Sequence, residues 1–535
     1  MGLDLVIRGG LVIDGTGTEG TVRDIAIADG AIAWIGTAPV PRATPVIEAT
    51  GMVVVPGFVD IHTHSDVSLL HDGRAESKIL QGVTTEVAGN CSFSAFPIEP
   101  SRLELHRDHL ARIGDDPITP TWVDLDGYAA ELARRGIAIN LAPLLGHGTL
   151  RVAAMGVDER VPTPDEMATM LTLADAAFAQ GAFGFSTGLT HVPSAYAQAA
   201  EIEAIAEVAQ RWGRIYATHA RATAGGAFAA IEEAAAVGKR TGVRVEFSHL
   251  AINEPDLWGH ASEVLAVFER ARSEGIDIAF DVYPYDASCS SLTQYLPPWV
   301  QAGGSDAMRE RLGDPGTRAR ALGDLAAGWF GGIPWHWERV VLSRTGPGGE
   351  GLIGHSIADL ATAEGRPPEV VMLEICERFG NEAECVLFYR TEADMLAFLA
   401  HPLGVVGSDG SAIPLDQGSD KPHPRHFGTY PRVLGRYVRE QHALSMVDAV
   451  TRVSAVPAAR IGLTDRGRLL PGLAADIVVF DSNVVLDTAT FMDPCRAPVG
   501  IRDVLVGGVA VVRDGQQTGT RPGRVLRASV PATAV

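Results

Sequence analysis

Lysine is scarce in this chain. Of 44 basic residues among 535, only Lys78, Lys239 and Lys421 are lysines, so chemistry that needs a lysine at a defined place has three positions open to it. Cysteine is scarce too. Its five copies, Cys91, Cys289, Cys376, Cys385 and Cys495, are scattered, odd in number and never spaced as CxxC, which argues against a disulfide framework and a zinc ribbon. Positive charge is in deficit: the formal net charge is −21, which repels nucleic acid and anionic membranes and argues against both as partners. There is no run of about 18 apolar residues to span a bilayer. The opening MGLDLVIRGG carries neither a basic nor an apolar signal region. The expectation is a soluble cytoplasmic protein. What is present is ordinary for a folded chain, with 46% hydrophobic and 20% charged residues, and the length exceeds one average domain.

The first 55 residues read as short aliphatic strands, at 5–8, 10–13, 25–27 and 53–55, punctuated by Asp14-Gly15, Asp29-Gly30 and Gly51. From Pro56 the rhythm changes. Apolar strands at 57–61, 84–88, 138–143, 182–186, 215–218, 244–248, 278–282 and 405–407 alternate with Ala-rich helical stretches at 164–180, 199–211, 227–241 and 261–274. Eight strands alternating with helices predict an α/β fold of the (β/α)8 TIM-barrel type. Residues of about 298–345, with Pro297-Pro298-Trp299, Gly303-Gly304, Trp329, Trp335 and Trp337, break the pattern and read as an insertion after one strand, a lid or a flank to the pocket mouth. Short strands return after Gly467. The expected layout is a barrel over 57–464, with 1–56 and 465–535 combining into a small β-sandwich.

His62 and His64 are two apart at the end of a predicted strand, so both imidazoles face one side, as a divalent transition metal such as zinc requires. A pair of core histidines is the plain alternative. His219 and His249 each close a predicted strand, Cys91 follows one, and Asp409 follows Val405-Val406-Gly407-Ser408. Active sites of such barrels are built at strand C-termini, so together these residues point to a metal site. Taken singly, Cys91 also fits a small core residue, and Asp409 in Ser-Asp-Gly also fits a turn.

This arrangement closely resembles the amidohydrolase superfamily, marked by H-x-H on strand 1, His on strands 5 and 6, and Asp on strand 8. Gly89-Asn90-Cys91, Phe185-Ser186-Thr187-Gly188-Leu189, Phe280-Asp281-Val282-Tyr283-Pro284-Tyr285 and the stretches 423–432 and 466–478 look like its N-acyl-D-amino-acid deacylase (D-aminoacylase) branch. The resemblance covers essentially the whole chain. Relatives such as hydantoinases bridge two zincs with a carboxylated lysine after strand 4. Here that strand is followed by Thr187-Gly188-Leu189 and holds no lysine. The resemblance implies Cys91, with His219 and His249, as a tight zinc site, and His62 and His64 as a second, weaker one. Asp409 is the expected proton shuttle. Tyr283 and Arg425 are implied to grip a substrate carboxylate, with a structural ion pair as the alternative for Arg425. Tyr196 is implied to line the pocket and stabilise an oxyanion.

Two departures bear on the substrate: Ala251 stands where family members often carry a lysine, and Cys289 where relatives tend to have Ser or Thr. The implied reaction is hydrolysis of an N-acyl amino acid of D configuration. Alternatives are another linear or cyclic amide, or a non-catalytic barrel scaffold. The scaffold reading predicts lost ligands, and none of the six is lost.

Overall fold

The computed structural model describes residues 2–37, 41–113, 118–221, 226–330 and 332–530. Residues 1 and 531–535, the outermost limits of the two expected terminal segments, lie outside the described residues.

Strands from the two ends of the chain share one nine-stranded sheet. Its path runs Gln516–Gln517, Val509–Arg513, Ile501–Val506, Ile477–Phe480, Val53–Pro56, Leu5–Val12, Thr21–Ala28 and Ala31–Gly36, with Val46–Glu48 also on Leu5–Val12. Alternation explains its two faces. Ile477 and Val479 join Ile7, Ile25 and Leu505 in a core of the sheet's own. Val478 and Phe480, one residue out of phase, join the barrel core instead. The sequence pattern predicts two strands at 5–8 and 10–13. The structure has one strand with a register shift between Ile7 and Gly10, made possible by Gly9 at φ 70°.

Eight strands form the barrel: β1 Phe58–Asp60, β2 Val83–Ala88, β3 Asn140–Pro143, β4 Gly184–Gly188, β5 Ile215–His219, β6 Arg244–Phe247, β7 Ile278–Val282 and β8 Gly404–Val406. They lie in two parallel arcs, β1-β2-β3 and β4-β5-β6-β7-β8. The arcs meet where Phe183 N donates to Pro143 O at 2.8 Å and Asp409 N donates to His62 O at 2.8 Å. After Gln517 the chain leaves the sheet, and Gly523 and Val525 bridge to Ile137 and Leu141 at the start of β3. Leu526 thereby joins Ile61, Val87, Phe183 and Ile215 inside the barrel. The C-terminal tail is therefore part of the barrel floor as well as of the terminal sheet.

The insertion is larger than the expected 298–345. Its strands Ser288–Ser291, Glu384–Leu387 and Val340–Arg344 form a separate antiparallel sheet. Helices Ser305–Gly313, Pro315–Ala326 and Pro368–Phe379 pack with it around Leu325, Leu342, Met372 and Leu373. Its second half, helix then strand, has the same rhythm as a barrel unit, which hides its extent in the sequence. No helix among the described residues is long and apolar enough to cross a membrane.

One of the three lysines anchors the barrel wall. Lys78 Nζ is fully buried and donates to Asp60 Oδ2 at 2.9 Å, Ser408 Oγ at 2.6 Å and Gly410 O at 3.0 Å. Glu86 Oε1 lies 3.4 Å away. One cation thus serves two carboxylates. Burial pushes Glu86 up to about 7, against the pull of Lys78 and with that of the Asp60 charge. This folded value exceeds the ordinary 4.5. The stability tied to the Glu86 proton is therefore complete below pH 4.5 and lost as pH rises to 7, about 3 kcal/mol in all. In Glu86→Gln this slope should be absent. Melting temperatures at pH 5 and pH 8 check it, and an unchanged decline in the variant would disprove the assignment.

Candidate metal centre and active site

Five of the eight strands, β1, β2, β5, β6 and β8, deliver the candidate ligands to one place. The ligand atoms of His62, His64, Cys91 and Asp409 all lie within 4.8 Å of one another, as do those of Cys91, His219 and His249. Cys91 belongs to both groups. Its Sγ is 3.3 Å from His62 Nε2 and 3.5 Å from His249 Nε2. Asp409 Oδ1 is 3.0 Å from His64 Nε2 and 3.4 Å from His62 Nε2. Three of these residues sit in the left-handed region that non-glycine residues avoid: Cys91 at φ 50°, His249 at φ 38° and Asp409 at φ 52°. Such conformations cost of order 1–3 kcal/mol each and persist where function holds them.

The electrostatics point to a cation. Burial alone would raise the Cys91 thiol, but the neighbouring His62 and His249 imidazoles outweigh it and hold it well below its ordinary value. Burial would likewise raise Asp409, and Arg425 with His249 and His62 holds it well below the usual carboxylate range. A thiolate and a carboxylate among four imidazoles form a donor set that fits a divalent transition metal.

Supporting residues given no role in the sequence reading complete the centre. Asp281, at the end of β7, places Oδ2 3.0 Å from His62 Nδ1 and accepts from His249 N through Oδ1 at 2.9 Å. One carboxylate thereby fixes the His62 ring and the backbone that carries His249, the kind of support that sets tautomer and ring orientation at metal sites. The signal in the sequence was an Asp inside the otherwise apolar run Phe280-Asp281-Val282. Thr190 Oγ1 is 2.6 Å from His219 Nε2.

The centre opens into a cavity of about 540 Å³ between the barrel mouth and the insertion. Tyr283 and Arg425 line it, and the Arg425 guanidinium stands 5.0 Å from the Tyr283 ring centroid. Arg425 begins the helix Arg425–Arg432, lies 2.8 Å from Asp409 Oδ2 through Nη1 and donates to Cys289 O at 3.2 Å through Nη2. The ion-pair alternative is thus realised at a position that also faces the cavity. Ala251 and Cys289 both line it.

Tyr196 is not brought into the site. It is absent from the cavity lining, and its hydroxyl donates to Pro298 O at 2.7 Å, tying the loop after β4 to the insertion. The hydroxyl expected to stabilise an oxyanion is thus engaged with the Pro298 carbonyl. Tyr196→Phe should cost about 1 kcal/mol of stability, the worth of one hydrogen bond, and leave kcat within about 3-fold. A larger loss of kcat at unchanged melting temperature would restore the catalytic role.

Beneath the β4 loop, His147 Nδ1 and Nε2 lie 2.7 Å from Ser194 Oγ and 2.8 Å from Glu201 Oε1, and Arg151 pairs with Glu201 at 2.7 Å. All four are buried and none lines the cavity. The cluster is tied to the loop through Ser194 and lies away from the cavity lining.

Comparison with known proteins gives concordant results. The amidohydrolase family pattern matches residues 45–512. An N-acyl-D-glutamate deacylase of Alcaligenes xylosoxydans xylosoxydans is 36% identical over 98% of this chain and 96% of its own length. A D-aminoacylase of the same organism is 34% identical over 98% and 97%. The solved structure of N-acyl-D-glutamate deacylase from Bordetella bronchiseptica, complexed with zinc and a phosphonate inhibitor, superposes with a TM-score of 0.83 at 35% identity, covering 99% of this chain and 100% of that one.

Proposed function

The chain belongs to the amidohydrolase family, and from that premise we propose that it is a zinc-dependent deacylase of N-acyl-D-amino acids, releasing a carboxylate and a free amino acid. The observation that carries the reading is the gathering of six ligand residues at β-strand ends around Cys91, beside an arginine–tyrosine pair that faces the same cavity. The donor set of one thiolate with His219 and His249 favours zinc as the tightly held ion. His62 and His64, which reach Cys91 from the other side with Asp409 beside them, make a second and weaker site. A relative fits this inequality: a D-aminoacylase structure is described in terms of one-metal activation and second-metal attenuation by its binuclear centre.

A bound zinc ion supplies Lewis-acid polarisation of the amide carbonyl and acidifies water. The protein's own residues do the rest. Asp409 accepts a proton from the attacking water and returns it to the leaving nitrogen as the C–N bond breaks, so one carboxylate serves as base and then as acid. Asp281 keeps His62 in place while this happens. Tyr283 and Arg425 orient the substrate by its carboxylate.

The test is a panel of N-acetyl-D- and N-acetyl-L-amino acids, with cyclic amides alongside, on zinc-loaded protein. D-selective release of acetate is expected. Turnover of cyclic amides with none on any N-acetyl-D-amino acid would overturn the reading.

A further inference from the structure

Five arginines line the cavity: Arg112, Arg221, Arg344, Arg390 and Arg425. Arg221 is matched by Glu233 at 3.2 Å, Arg344 by Glu384 at 3.6 Å, and Arg112 donates to the Gln301 side-chain carbonyl at 2.9 Å. Arg390 differs. It follows the insertion strand Glu384–Leu387, and among the described residues no carboxylate lies within ion-pair distance of it. Its Nε donates to Asn253 Oδ1 at 3.3 Å, and its guanidinium stands 4.7 Å from the Tyr283 ring centroid. Two guanidiniums, Arg390 and Arg425, thus attend one aromatic ring, whose face partly offsets the repulsion between them.

The polar atoms here are short of an acceptor. The Tyr283 hydroxyl is buried and makes no hydrogen bond, and neither does Arg425 Nε. Buried donors left this way cost stability unless a ligand meets them. A carboxylate has two oxygens and about four acceptor positions, and it accepts guanidinium donors in pairs. Ala251, two residues before Asn253, lines the same cavity and brings no charge. The cation that Asn253 holds near the Tyr283 ring is Arg390.

We infer that Arg390 is a specificity-determining residue: with Arg425 and the Tyr283 hydroxyl it closes a clamp on the carboxylate of the substrate. The inference rests on the proposed deacylase reading and adds a contact from the insertion. It gives the insertion a part in substrate selection, because the residue that reads the charge is carried by the end of that unit. Asn253, in the loop after β6, steadies the guanidinium without neutralising it.

The experiment compares wild type, Arg390→Met and Arg390→Lys on N-acetyl-D-leucine and on its carboxamide, N-acetyl-D-leucinamide, by acetate release. For Arg390→Met the KM for the acid should rise about 10- to 100-fold, the range for losing a charge-assisted pair, with kcat changed less than about 3-fold. The penalty on the carboxamide should be far smaller, and Arg390→Lys should recover part of the acid's KM. Equal penalties on acid and carboxamide, or an unchanged KM for the acid, overturn the clamp. Melting temperatures of the variants separate loss of folding from loss of binding. Wild type inactive on every N-acetyl-D-amino acid would instead bring down the deacylase reading itself.

Discussion

Cys91→Ala will strip the protein of metal and lower kcat by about 10³-fold or more, the upper range for removing one electrostatic stabiliser from an active site. The reason is geometric. The Cys91 Sγ belongs to both groups of ligand atoms, and every other ligand belongs to one. Losing a histidine on one side leaves the other group intact. Losing the thiolate leaves His219 and His249 as a pair, and His62, His64 and Asp409 without their sulfur. Cys91 also sits at φ 50°, a conformation that alanine tolerates as badly, so the backbone strain remains while its reason is gone. His64→Ala is the contrast. It should reduce the metal retained after dialysis by at most one ion per chain and leave the group of Cys91, His219 and His249 loaded. Elemental analysis beside kcat decides the matter. If Cys91→Ala held as much zinc as wild type, the thiolate would not be a ligand.

Asp409→Asn should lower kcat by about 10²- to 10⁴-fold, the scale of general acid–base catalysis, with metal content nearly unchanged. Asparagine keeps the shape of the side chain and its oxygen near His64 Nε2, which lies 3.0 Å from Asp409 Oδ1. It can neither accept the proton of water nor hand one to the leaving amine. The two duties separate by leaving group. On an ester analogue, whose leaving oxygen needs less help from a proton, the deficit should shrink, because only the base step remains impaired. A variant that lost metal in proportion to kcat would make Asp409 a ligand first and a proton carrier second.

The sequence reading located the barrel well, because each strand is an apolar run and each candidate ligand follows one. His62, His64, Cys91, His219, His249 and Asp409 were legible since strand order and strand end are local properties that the structure then gathers around one point. Tyr196 was misplaced because nothing local says which way a loop tyrosine turns; its orientation is set by Pro298, far along the chain. The insertion was underestimated because its first strand reads Ser-Cys-Ser-Ser, without the aliphatic alternation that marks a strand. Arg390 was invisible because its neighbour Tyr283 lies on the barrel, and only the return of the insertion brings the two together. Asp281 was visible as a polar residue in an apolar strand, but its two partners, His62 and His249, are a matter of tertiary packing.

The terminal sheet has a consequence for how the molecule comes into being. Val53–Pro56 pairs with Ile477–Phe480, and Leu526 enters the barrel interior at the end of the described chain. During synthesis the first strands emerge long before their partners, and the barrel floor stays open until the segment around Leu526 has been made. Contacts between such distant parts of a chain form slowly, and exposed strand edges invite wrong pairing while they wait. Closure of the barrel interior is thus conditional on the segment around Leu526, and removing that segment should uncover Ile61, Val87, Phe183 and Ile215 together.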